Sequence, residues 1–84
     1  MSHARDVAEV VVRALVDAPD GVRVTETEQR GMALIEISVA DGDMGRVIGR
    51  QGRTATAIRT LVTSTADRDD MRVTVEFRDD HGRR

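Results

Sequence analysis

The chain begins with apolar residues at helical spacing. This pattern predicts a helix over residues 4–17, with an apolar stripe formed by Val7, Val10, Val11, Ala14 and Leu15. Glu9 and Arg13 are four residues apart, so they can form an ion pair on the opposite side of this helix. Pro19-Asp20-Gly21 predicts the turn that ends it.

Two stretches with alternating apolar and polar residues follow, and this period is typical of half-buried strands. The first covers residues 22–27, and the second has Ala33, Ile35, Ile37 and Val39 on one face. Gln29-Arg30-Gly31 lies between them and predicts a hairpin turn. Asp41-Gly42-Asp43 then breaks the pattern, and Asp43 stands where it can cap a following helix.

The second half of the chain predicts two helices and one strand. A short helix over residues 44–48 is interrupted at 49–52, and a longer helix runs from Arg53 to about residue 66. The apolar side of the longer helix is formed by Ala55, Ile58, Leu61 and Val62. After a polar turn at 67–70, residues 71–77 alternate as a third strand.

The predicted element order is αββααβ, and each strand has one apolar face. It predicts an α+β fold, in which a three-stranded sheet has its helices packed on one face. We expect one domain over residues 1–78 and a disordered tail over 79–84, because residues 78–84 include no apolar side chain.

Composition excludes several classes of protein. The 84 residues include no cysteine, which excludes a disulfide framework and a thiolate metal site. No apolar run approaches the ~20 residues that span a bilayer, and the first residues lack the order of a signal peptide, so we expect a cytoplasmic protein. His3 and His81 have no third ligand nearby, and Ser64 has no base partner. We therefore expect no metal, no cofactor and no catalytic activity.

Charge is distributed unevenly along the chain. Its formal net charge is -2, yet residues 44–66 contain four arginines and no acidic residue. This segregation indicates a surface that contacts an anion. A solvated helix face would show the same arginines, so the residues around them must decide between the two interpretations.

The segment Gly49-Arg50-Gln51-Gly52 lies between the two predicted helices. Its spacing alone is a weak motif, because residues 42–45 also begin and end with glycine. Its position is more informative. Gly49 can end a helix with positive φ, Gly52 lets a sugar-phosphate backbone approach, and the helix that follows presents unpaired amides to an anion.

The stretch Val47-Ile48-Gly49-Arg50-Gln51-Gly52, followed by Ile58, resembles the signature of the KH-domain family. The chain, except its last few residues, is similar to the small bacterial single-KH proteins of the KhpA type, most specifically over residues 43–53 and 57–59. This resemblance implies a type II-like KH fold and a non-catalytic, cytoplasmic single-stranded RNA-binding protein. Such proteins act as RNA chaperones or post-transcriptional regulators. They pair as homodimers or with a second KH protein of the KhpB, Jag or EloR type.

The resemblance also implies which residues bind RNA, namely Arg46, Val47, Ile48, Gly49, Arg50, Gln51, Gly52 and Arg53. The loop residues would hold the nucleic-acid backbone, the flanking arginines would contact phosphates, and Val47 and Ile48 would help line the groove for the bases. Val47 and Ile48 are equally compatible with ordinary core positions. Arg59 is equally compatible with RNA contact and with an ordinary surface position. Thr54 and Ala55 are smaller than the aliphatic residues of many KH domains, so we expect weak sequence preference.

Two other functions remain open. The chain can be a protein-interaction subunit that assembles through the apolar fringe around Leu61 and Val62. A small enzyme is a poorer fit, because no acid-base pair or cofactor motif is present. As an RNA-binding module with about two to four phosphate contacts, it would bind weakly, with a salt slope of about -1.5 to -3.

Overall fold

The computed structural model describes residues 3–67 and 72–79, without the side chains of residues 66, 67 and 79. The elements in chain order are α1 (His3–Leu15), a 3₁₀ turn (Pro19–Gly21), β1 (Arg23–Gln29), β2 (Met32–Val39), α2 (Met44–Ile48), a second 3₁₀ turn (Arg50–Gly52), α3 (Arg53–Asp67) and β3 (Arg72–Asp79). The predicted αββααβ order is confirmed. Residue 67, predicted in the polar turn, belongs to α3, and residue 79, predicted in the tail, belongs to β3. The rest of the predicted turn, Met71 and the rest of the predicted tail lie outside the described residues.

The sheet has the strand order β1-β2-β3. β2 pairs with β1 antiparallel and with β3 parallel, so that Ile35 stands opposite Glu26 and Val75. Arg30 and Gly31 join β1 to β2 with φ of 52° and 79°, the two positive values that a tight type I′ hairpin requires. A parallel pair needs a long crossover connection, and here that connection contains α2, the 49–52 loop and α3.

The core lies between one face of the sheet and the helices. β2 supplies four alternate buried side chains to it, Ala33, Ile35, Ile37 and Val39, as its period predicts. From α3, Ile58 and Val62 are buried. Leu61 is expected on the same apolar side, but it is 47% exposed and lies outside the core. Residues 61 and 62 are about 100° apart around a helix, so only one of them can face the sheet.

The buried stripe of α1 differs from the predicted one. The buried residues are Ala4, Ala8 and Val12, and Val7 and Val11 pack beside them. Val10 is 69% exposed, and Ala14 and Leu15 are exposed as well. Three consecutive valines cannot share one face of a helix. The face that contains Ala4 and Ala8 packs against the core, because these small side chains let the helix lie closer to the rest of the core.

α1 also ends earlier than predicted, at Leu15. The backbone N–H groups of Asp17 and Ala18 donate to the carboxylate of Asp43, at 3.3 Å and 3.0 Å. Since these amides are used by a side chain from a distant part of the chain, they do not extend the helical ladder.

Both edge strands of the sheet accept a hydrogen bond from an arginine of a neighbouring helix. Arg5 of α1 donates its Nε to the Val24 carbonyl of β1, and Arg59 of α3 donates its Nε to the Val75 carbonyl of β3, each at 3.2 Å. The Arg59 guanidinium also lies 5.1 Å from the centre of the Phe77 ring. Occupied carbonyls make a strand edge a poorer template for pairing with another chain.

Candidate functional site

The loop between α2 and α3 is built on unusual backbone conformations at three positions, 49, 51 and 52. Gly49 ends α2 by donating its N–H to the Gly45 carbonyl at 2.9 Å, and its φ of 76° and ψ of 175° are essentially restricted to glycine. Gln51 has φ 57° and ψ 25°, and Gly52 has φ 73°. The chain therefore turns sharply between the two helices, as the sequence predicts.

The two glycines of the loop have different surroundings. A Cβ atom at Gly49 would lie 2.7 Å from the Thr54 Cβ and would also overlap the Thr54 hydroxyl. At Gly52 a Cβ atom would meet nothing within 4 Å. Gly49 is thus required by packing within the protein, whereas the space at Gly52 is open to a ligand.

The backbone amides at the loop are partly occupied. Gly52 donates its N–H to the Gly49 carbonyl at 3.2 Å, and Arg53 donates its N–H to the Arg50 carbonyl. The expectation that the amides after Gly52 are free for an anion is therefore wrong for Arg53. The reason is that the loop closes as a 3₁₀ turn, which uses this amide internally.

Arg50 and Arg53 are the most accessible cations of the loop. Both residues are exposed, and no hydrogen bond or ion pair within residues 3–67 and 72–79 engages either side chain. Gln51, between them, is exposed at the tip. Two full positive charges and an amide group therefore face solvent beside the open space at Gly52.

Arg46 lies one turn before the loop and is already paired. Its Nη2 is 2.8 Å from Oδ2 of Asp17, and its Nε is 3.7 Å from Oδ1 of Asp43. The four arginines of the basic segment thus divide into three groups. Arg50 and Arg53 have no partner among the described residues, Arg46 is neutralised by acids, and Arg59 is held against β3.

Asp43 does not have the role that its sequence position predicts. It stands before α2, but its side chain makes no capping hydrogen bond to that helix. Its carboxylate is buried and accepts the amides of Asp17 and Ala18 instead. Sequence reasoning missed this contact because its partners are 26 and 25 residues away, and no local pattern joins them.

The apolar residues beside the loop are not equally accessible. Val47 is fully buried, so of the two positions open to it, core and groove wall, it occupies the core. It points into the core because α2 has one buried side, and Val47 occupies it. Ile48 is partly exposed and can still form a groove wall. Ala55 and Ile58 are buried, so neither side chain contributes a surface.

Other kinds of site receive little support from the described residues. Across 3–67 and 72–79, no group of three or more histidine, aspartate or glutamate side chains is arranged to hold a metal ion. Within the same ranges, no helix combines the length and apolarity needed to cross a membrane.

Comparison with known proteins gives consistent matches. Residues 5–77 match a family model described as KhpA/KhpB, KH domain. A protein named RNA-binding protein KhpA from Caldanaerobacter subterraneus subsp. tengcongensis is 48% identical over 72 residues, which is 86% of this chain and 96% of that protein. The Aquifex aeolicus protein of the same name is 42% identical over 77 residues, covering 92% and 98% of the two chains.

Two solved structures share the fold. Aquifex aeolicus Era bound to GDP.AlF4- superposes with a TM-score of 0.67 at 18% identity, over 90% of this chain and 29% of Era. Era in complex with MgGDPNP and nucleotides 1506–1542 of 16S ribosomal RNA gives a TM-score of 0.64 at 20% identity, over 96% of this chain and 32% of Era. At these identities the likeness concerns the fold of that part of Era alone.

Proposed function

The chain belongs to the KhpA/KhpB KH-domain family, and from this premise we propose that it binds single-stranded RNA without catalysis, holding the RNA backbone at the 49–52 loop. One observation carries the proposal: Arg50 and Arg53 are exposed and unpaired in the described part of the chain, beside the open space at Gly52. The name RNA-binding protein, given to relatives that match over most of their length, supports it.

The loop geometry suggests a role for each residue. The missing side chain at Gly52 lets a ribose-phosphate strand come close to the protein backbone. Arg50 and Arg53 then contact phosphates, because a guanidinium presents paired N–H donors that match phosphate oxygens. Gln51 adds an uncharged donor and acceptor at the tip. Ile48 offers an apolar surface to a neighbouring base, and no contact here selects one base over another.

The expected affinity is low. On single strands each neutralised phosphate contributes about -0.7 to the salt slope, so two free arginines predict a slope of about -1.4. A second RNA-binding domain would raise the effective concentration of the first at the RNA. We therefore propose that the protein acts in the cytoplasm as an RNA chaperone or post-transcriptional regulator, as a homodimer or with a KhpB-like (Jag, EloR) second KH protein.

The experiment replaces Arg50 and Gln51 together by Asp and measures binding to a mixed-sequence single-stranded RNA by fluorescence anisotropy. The chain offers a matched control in Gln29 and Arg30, an exposed pair of the same two residue types in the hairpin. Replacing that pair by Asp changes the net charge by the same amount. Circular dichroism verifies that both variants fold.

We expect the loop variant to lose RNA binding and the hairpin variant to retain most of it. Equal losses in the two variants would mean that only net charge matters. Unchanged affinity in the loop variant would remove the loop from the binding site. Either result contradicts the proposal.

A second candidate function is protein assembly through the helices, and one observation favours it. Leu61 of α3 is 47% exposed although it is a large apolar residue. Val62, the other residue expected at this fringe, is fully buried and cannot contribute. Leu61→Asp should leave folding intact, and analytical ultracentrifugation shows whether it dissociates an assembly. Lost RNA binding in a dissociated, folded variant would show that the two functions depend on each other.

A further inference from the structure

The acids around Arg46 are of two kinds. Asp43 is buried, with its side chain 6% exposed, and its carboxylate holds two backbone amides. Asp17 has a side chain that is 73% exposed, and its carboxylate contacts Arg46 at 2.8 Å. Asp43 is thus fixed within the fold, whereas Asp17 pairs with Arg46 at the surface.

The position of Asp17 is set by the fold rather than by its own side chain. The Asp43 carboxylate accepts the backbone N–H of Asp17 itself, and that of Ala18 next to it. This attachment lies just beyond the end of α1 and holds residues 17 and 18 against Asp43, which directly precedes α2. The Asp17 carboxylate is consequently carried on a backbone that is anchored beside Arg46, which reduces the entropy lost when the ion pair forms.

We propose that Asp17 is an internal competitor that occupies Arg46 in place of an RNA phosphate and so determines how many phosphates the loop region engages. This inference rests on the proposed function. A carboxylate and a phosphate use the same N–H donors of a guanidinium. RNA that engages Arg46 therefore competes with Asp17 for the Nη2 donors, and otherwise the RNA binds through Arg50 and Arg53.

The size of the effect follows from the exposure of the pair. Both side chains are more than half exposed, so the contact is a surface ion pair. Surface pairs are worth about 0.2–1 kcal/mol, which corresponds to a change of roughly 1.4- to 5-fold in a binding constant. Release of Arg46 adds one phosphate contact, which makes the salt slope more negative by about 0.7, from about -1.4 to about -2.1.

The test compares Asp17→Asn with Asp20→Asn. Asp20 is exposed in the first 3₁₀ turn, and no ion pair within the described ranges involves it, so its substitution removes the same charge without touching Arg46. Binding to a mixed single-stranded RNA is measured over a series of salt concentrations. Each substitution is repeated in an Arg46→Ala background, and thermal unfolding verifies folding.

We expect Asp17→Asn to bind RNA up to about five-fold more tightly than Asp20→Asn, with the steeper salt slope. In the Arg46→Ala background the two substitutions should have equal effects. Equal effects in the parent chain as well would overturn the proposal, because general charge would then explain them. If Asp17→Asn does not fold, Asp17→Ala gives the same comparison.

The outcomes separate this proposal from the function on which it depends. If the parent chain binds RNA through the loop while the two substitutions behave alike, Asp17 is not a competitor and the RNA-binding function stands. If the parent chain binds no RNA, or binds it independently of Arg50 and Gln51, both proposals fail together.

Discussion

Replacing each glycine of the loop by alanine tests whether the two positions have the different roles that their surroundings indicate. At Gly49 the backbone has φ 76° and ψ 175°, and a Cβ atom would overlap Thr54. At Gly52 the φ is 73°, but nothing lies within 4 Å of the added atom. Gly49→Ala therefore combines backbone strain with steric overlap, whereas Gly52→Ala introduces backbone strain alone.

The expected costs can be estimated for both positions. A non-glycine residue in the conformation of Gly49 costs about 1–3 kcal/mol, and forcing an extra carbon into a packed site costs about 1–3 kcal/mol more. We expect about 4 kcal/mol for Gly49→Ala. A left-handed alanine at position 52 costs about 1–2 kcal/mol. For a domain of this size each 1 kcal/mol lowers Tm by about 4–8 °C, which gives a fall of about 16–32 °C for Gly49→Ala and of about 4–16 °C for Gly52→Ala.

Circular dichroism at increasing temperature and urea denaturation both measure this difference. Thr54→Ala in the Gly49→Ala background should recover part of the loss, because it removes the hydroxyl that the new methyl group meets. In an RNA titration, folded Gly52→Ala should bind more weakly than the parent chain, since its methyl group occupies the space proposed for the ribose-phosphate strand.

Equal Tm values for Gly49→Ala and Gly52→Ala would refute this reasoning, because they would mean that contact with Thr54 contributes nothing. A Gly52→Ala variant with unchanged RNA affinity would show that no ligand backbone comes close at this position.

Three further predictions concern residues around the site. Asp43→Ala removes a buried carboxylate that accepts two part-buried backbone amides, and it should cost about 2–4 kcal/mol in urea denaturation; a loss below about 1 kcal/mol would contradict the anchoring role. Arg59→Ala should cost about 1.5–2 kcal/mol and promote further self-association, visible in light scattering, because the Val75 carbonyl at the sheet edge loses its donor; an association state equal to that of the parent chain would contradict edge protection. Gly45→Ala should raise stability by about 0.5–1 kcal/mol, since Gly45 is helical and its added Cβ meets nothing; a lower Tm would contradict this.

Much of the local structure can be predicted from the sequence. The wrong predictions concern which face of a helix is buried, because adjacent apolar residues fit more than one face. The alternation in β2 identified each of its buried residues, and the glycines located the loop between α2 and α3. The pattern does not identify the buried face of α1, because three adjacent valines fit more than one apolar stripe. Leu61 and Val62 were both plausible core residues, and the packing of α3 on the sheet buried only Val62.

The sequence by itself determined the order of elements, the hairpin turn and the loop with its arginines. These features depend on the hydrophobic period and on glycine backbone freedom, which act over a few residues. Only the tertiary structure decided which charges are available to a ligand. The end of α1 lies against the start of α2, so Asp17 pairs with Arg46, and the packing of α3 holds Arg59 at β3. Coulomb interactions and hydrogen bonds depend on distance in space, and for residues far apart in the chain that distance is fixed only by the fold.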